Sequence, residues 1–209
     1  MYINAAILTY LTEQRNKALA DFNTNQPLLI RLLDELRMVN TDQVKQGFYD
    51  ELVANCQNHW SKASGLMRGI LFEYDYIFRE NPDAAAYGIV FGNFQAQAEP
   101  FRFDDFTEFA DGFEGLPGVT LNLFNPLIAL ERERFEPRSP SDIDEATGNP
   151  RGYAELIRAY VLTAFICLHH ALAGFTRTSA YEALNRRSPF YFLIDEHDTG
   201  ETYPIYVTG

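Results

Sequence analysis

Residues 153–173 read YAELIRAYVLTAFICLHHALA, and this stretch decides the fold. From Ala159 to Phe175 the chain is apolar apart from Thr163 and the adjacent His169 and His170, while Glu155 and Arg158 precede the run. Histidines in its second half and charges just before it make the run short and polar for a bilayer span. A helix apolar on all sides belongs at the centre of a soluble core, so the spacing predicts a central buried helix over Tyr153–Ala173, with Gly174 able to end it. The rest of the chain must then supply the layers around it.

Downstream, Ser179–Arg186 reads as a short helix whose basic end, Arg186-Arg187, suits the helix dipole. Phe190–Asp195 and Tyr203–Val207 read as a C-terminal β-hairpin around His197-Asp198-Thr199-Gly200, with Pro204 marking the last strand as an edge. Upstream, residues 136–152 contain Pro137, Pro140 and Pro150 among serines and acids, a long polar loop. Further back, Phe72, Tyr74, Tyr76 and Phe78 alternate with Leu71, Glu73, Asp75 and Ile77, which predicts a strand over Ile70–Phe78. Asn81-Pro82-Asp83 is a turn signal, Tyr87–Phe94 a second strand with Gly88 and Gly92 as bulge positions, and Phe101–Phe103 a short third. Asp105 and Glu108 have capping-box spacing, and Phe106, Phe109 and Phe113 would share one face of the short helix it opens. Gly115-Leu116-Pro117-Gly118 stops that helix. Val119, Leu121 and Leu123 alternate as in a strand, and Leu127–Phe135 is read as helix.

The first third is helical throughout. Ile7, Leu8, Leu11, Ala18, Leu19 and Phe22 recur at helical spacing with Arg15 as the one mismatch. Pro27 suits a first helical turn before Leu29, Leu32, Leu33 and Leu36, and Asn40 or Thr41 caps a third helix carrying Val44, Phe48, Leu52 and Cys56. The expected class is α+β in one domain, residues 1–209. A helical subregion, 1–64, leads into mixed sheet and helix over 65–209, the sheet mostly antiparallel.

Composition narrows the function. The chain has 209 residues, 46% hydrophobic and 22% charged, long enough to bury a core without disulfides or metal. With 17 bases against 29 acids its net charge is −12, the wrong sign for neutralising phosphates, so nucleic acid and anionic membrane are excluded as expected partners. Residues 1–11 lack a positive n-region and a cleavage site, and two cysteines make no disulfide framework, which together point to a cytoplasmic protein.

No phosphate-binding Gly-rich loop, dinucleotide fingerprint or Gly-x-Ser-x-Gly elbow is present, so the reading leans away from an enzyme and implies no cofactor. Cys-x-x-His occurs twice, at Cys56/His59 and Cys167/His170. Two such helices side by side would offer a tetrahedral zinc four ligands, but both cysteines also continue apolar stripes, and no metal is expected. His169 and His170 point about 100° apart on a helix and do not pair on one ion. Tyr74, Tyr76 and Tyr87, with Phe72 and Phe91, could line a pocket for a planar ligand or simply pack. Asp195, Glu196, His197 and Asp198 fall at a hairpin tip, where solvated acids are ordinary.

The most informative feature is acidic. From Glu99 to Glu145 there are twelve acids and four bases, a net −8 of the chain's −12, with phenylalanines threaded through the first part. The candidate partner-binding residues are Asp104, Asp105, Phe106, Glu108, Phe109, Asp111 and Phe113. Charge would steer a basic protein partner and an aromatic anchor would hold it. The leading expectation is an acidic binding protein that neutralises or sequesters a basic partner, immunity-protein-like by analogy of size and charge. Two other readings are an enzyme or small-ligand domain built on the central-helix histidines and strand tyrosines, and an assembly subunit docking through the N-terminal helices or the edge strand at Tyr203.

Overall fold

A computed structural model describes residues 2–75, 82–92, 106–132, 143–144, 147–197 and 202–209. Three helices come first: α1 (Tyr2–Asp21), α2 (Pro27–Met38) and α3 (Thr41–Asn58). Pro27 opens α2, where a missing N–H costs nothing, and Leu29, Leu32, Leu33 and Leu36 are its buried stripe. Asn40 caps α3, its Oδ1 accepting from the amides of Asp42 and Gln43 at 3.2 Å each.

The sheet is mixed but mainly antiparallel, as its sequence alternation implied. Its strands are β1 (Met67–Tyr74), β2 (Asp83–Gly92), β3 (Phe106–Phe109), β4 (Leu116–Thr120), β5 (Arg186–Glu196) and β6 (Thr202–Thr208). They run in the order β3-β2-β1-β5-β6, with β4 pairing the first half of β2 while β3 pairs the second. Only β1 and β5 are parallel. Between β4 and the long helix lie a 3-10 turn at Asn122–Leu127 and the short α4 (Ile128–Arg132).

The long helix, α5, spans Tyr153–Phe175 and is central as its sequence predicted. Its mean hydropathy, 1.6, and its length would let it cross a bilayer, yet 72% of its most apolar window is buried inside the protein. It packs on α1, α3 and β6, and polar groups within it are satisfied internally: Tyr160 donates to the Leu32 carbonyl at 2.7 Å. Between helices and sheet, Trp60 is fully buried with its ring about 6 Å from those of Phe72, Phe113 and Phe175. Its indole N–H donates to the Pro117 carbonyl at 2.9 Å, which ties the end of α3 to β4.

Three local expectations are corrected. Residues 106–109 form β3, not a helix, because pairing with β2 outweighs the helical spacing of the phenylalanines. α6 is only Ser179–Glu182, and Arg186-Arg187 begin β5, where the Arg186 guanidinium lies 4.1 Å from the Tyr181 ring centroid. The strand at Val119 ends at Thr120, and Leu123 belongs to the 3-10 turn. Helix α4 is described over Ile128–Arg132, with Leu127 in the 3-10 turn before it; residues 133–135, with Tyr76, Phe78, Phe101–Phe103 and most of 136–146, lie outside the described residues.

Candidate functional site

Alternation along the strands gives the sheet two unlike faces. Ile70, Phe72 and Tyr74 of β1 meet the helices. Leu71 points the other way, and with Ile89 and Leu193 it forms a separate apolar cluster, packed by Tyr87, Phe109 and Tyr191. Every member of this cluster comes from a strand. Register explains the grouping, since Leu71 sits opposite both Tyr87 and Leu193, and Ile89 opposite Phe109.

Phe109 is half-buried at the sheet edge, with its ring centroid 5.6 Å from that of Tyr87. Around this pair the charge is negative. Glu108, Asp111 and Glu114 are exposed, and Glu73 shares the face of Leu71. The Tyr87 hydroxyl bonds the Glu73 carboxylate; burial first, then the charges of Glu73 and Glu114, raise its pKa above the ordinary tyrosine range. His197 Nδ1 lies 3.1 Å from Glu73 Oε1, extending the cluster towards β5. Thus Tyr191, Glu73 and His197 join a surface that sequence reading confined to residues 104–113; only pairing brings them there.

Of the predicted residues, Phe109 packs on this cluster, while Glu108 and Asp111 are exposed next to it in sequence. Phe113 does not: it is fully buried on the helix side, 5.9 Å from Trp60. The chain turns through Gly112, which has φ 73°, and Phe113 passes beside Gly88, where an added Cβ would meet Phe113 Cγ at 2.9 Å. The expectation of one shared phenylalanine face is therefore corrected. Phe106 lies in β3, its side chain outside the described residues, as are Asp104 and Asp105.

The two Cys-x-x-His pairs remain apart. Cys56 Sγ donates to the Ala180 carbonyl at 3.1 Å beside the end of α3, whereas Cys167 Sγ approaches the Thr41 carbonyl, 3.9 Å, at its start. Fifteen helical residues separate those two points, roughly 22 Å at 1.5 Å per residue. Among the described residues no group of three or more His, Cys, Asp or Glu side chains is placed to hold a metal. His169 is buried and its Nδ1 lies 2.7 Å from the Ile205 carbonyl, a structural contact on β6 rather than an open base.

The β6 edge is also closed. The Asn4 side chain donates from Nδ2 to the Val207 carbonyl at 2.7 Å and accepts from the Val207 amide at 2.8 Å, acting as a one-residue strand. With the Ile205 carbonyl bonded to His169, three backbone groups on Val207 and Ile205 are already occupied, further along the same strand than Tyr203. Compared with known proteins, the chain matches no family model, no curated protein and no solved structure.

Proposed function

We propose that this protein binds a basic protein partner through the sheet face turned away from the described helices, at the edge where the Phe109 and Tyr87 rings meet. The observation that carries the reading is Phe109, a half-buried aromatic against Tyr87, which the charges of Glu73 and Glu114 reach. Such a ring is an anchor that desolvates on docking, and acids at the rim raise the encounter rate. The net charge of −12 extends the same field over the whole molecule. Neutralising or sequestering a basic toxin or nuclease is a role that fits these features by analogy alone.

The test uses the full chain immobilised and exposed to lysate of its native host. A basic protein retained by the wild type supplies the partner, and two variants then separate the contributions. Glu108→Gln with Asp111→Asn slows association and flattens its salt dependence, because rim charges act before docking. Phe109→Ala speeds dissociation. Retention by the wild type and both variants with the same rates refutes the proposal.

A further inference from the structure

At the carboxyl ends of the parallel pair β1 and β5 the helix-side face carries a group of side chains far apart in sequence. Tyr74 is in register with Glu196, and Ile194, two residues before Glu196, is opposite Tyr203 on β6. Strand alternation therefore sets Tyr74, Glu196 and Tyr203 on one face, looking towards the first turns of α5. From that helix Tyr153, Ala154, Ile157, Arg158 and Val161 share one side. Between the two walls is a cleft of about 320 Å³, with Asn149 at one end, small but within the range of ligand sites.

We propose that this cleft binds a small organic cation, a primary ammonium on an apolar or aromatic body, with Glu196 as its counter-ion and the tyrosine rings as its walls. The chemistry of the lining supports that class. Tyr74 is buried and held edge-on against Phe124 and Phe165, with centroids 5.7 and 6.4 Å away, and Phe165 in turn packs on Tyr203 at 5.8 Å. Rings packed in this way hold fixed positions in the lining, and the half-buried Tyr203 is the one open to a cation. Ile157 and Val161 are half-buried and give the apolar body a surface. Arg158 is at the exposed rim, where its guanidinium donates to Gln14 Oε1 at 2.8 Å and is drawn towards α1.

Glu196 is half-buried in this lining and can take an ammonium as a further partner. Burial, with the neighbouring Asp195 charge second, raises its carboxyl above the ordinary range, and an ammonium beside it favours the ionised form. Binding at a pH where Glu196 is partly protonated therefore releases a proton. A carboxylate ligand would meet repulsion from the same group.

The experiment titrates the full-length protein with three probes of one skeleton, phenethylamine, 2-phenylethanol and 3-phenylpropionate, by calorimetry and by chemical-shift changes at Tyr74, Glu196 and Tyr203. The amine is expected to bind, the alcohol at least tenfold more weakly, and the carboxylate not at all. Glu196→Gln should weaken the amine at least tenfold. Because that variant could also alter folding, Ala154→Phe gives a second arm: Ala154 is exposed on α5, so a ring there fills the cleft while leaving Glu196 in place, and amine binding should disappear. Equal binding of all three probes, no binding of the amine at millimolar concentration, or indifference to both substitutions overturns the proposal.

Discussion

Replacing Asn4 by alanine tests how the sheet edge is closed. Asn4 makes two hydrogen bonds to the backbone of Val207, at 2.7 and 2.8 Å, both partly buried. At about 1 kcal/mol each, their loss costs about 2 kcal/mol. Alanine recovers some of this, because it is a better helix former than asparagine by roughly 0.5 kcal/mol within α1. The net expectation is a destabilisation of about 1.5 kcal/mol, which in a chain of this size lowers the melting midpoint by roughly 3–6 °C. Urea unfolding should show a lower midpoint with an unchanged slope, and hydrogen exchange should show faster exchange of the Val207 amide. Asn4→Asp should fall at least as far, since it keeps the acceptor but sets a carboxylate against the Val207 carbonyl. If both variants match the wild type in stability and in Val207 protection, Asn4 does not close the edge, and the argument against assembly there loses that support.

Two further outcomes follow from buried groups. His169 and His170 are both held below the ordinary histidine range, chiefly by burial. Their folded pKa values lie under the unfolded ones, so the stability they contribute is complete above about pH 6.5 and is lost as pH falls through the folded values; Glu196, raised instead, opposes this at lower pH. Melting midpoints measured from pH 7.5 to 5 should decline, and less steeply in His169→Gln. Burial pushes the Cys56 thiol to about 12 and the Cys167 thiol to about 11, so a disulfide reagent at pH 8 should label neither until the protein is unfolded in denaturant. Rapid labelling of the native protein would contradict the packing described for α3 and α5.

The elements that could be read in the sequence are those whose own periodicity carries the signal. Central α5 declares itself because no side of it is polar, and α2 because its four leucines keep one stripe. The misreadings share one cause. Phe106, Phe109 and Phe113 have helical spacing, but the chain crosses the sheet edge between them, sending Phe109 to one face and Phe113 to the other. That crossing depends on Gly88, eighteen or more residues away, and no local pattern records it. The parallel pairing of β1 with β5 is likewise invisible, since it joins residues more than 110 apart. Glu196 therefore reads as one acid of a solvated hairpin tip, although pairing places it half-buried beside Tyr74. His197 reads the same way and in the fold meets Glu73. Phe109 could be named from the aromatic content of its segment, but its neighbours Tyr87 and Tyr191 meet it only through the register.

The central claim is that a basic protein docks over Phe109, and site-specific photo-crosslinking tests it most directly. A benzophenone amino acid placed at Tyr191, on the same face, would be compared with one at Ile30, exposed on the outer side of α2, in native-host extract at low salt. The Tyr191 position should crosslink one basic protein, the Ile30 position should not, and the adduct should fade in the Phe109→Ala background. Crosslinking of the same protein from Ile30 but not from Tyr191 would contradict it.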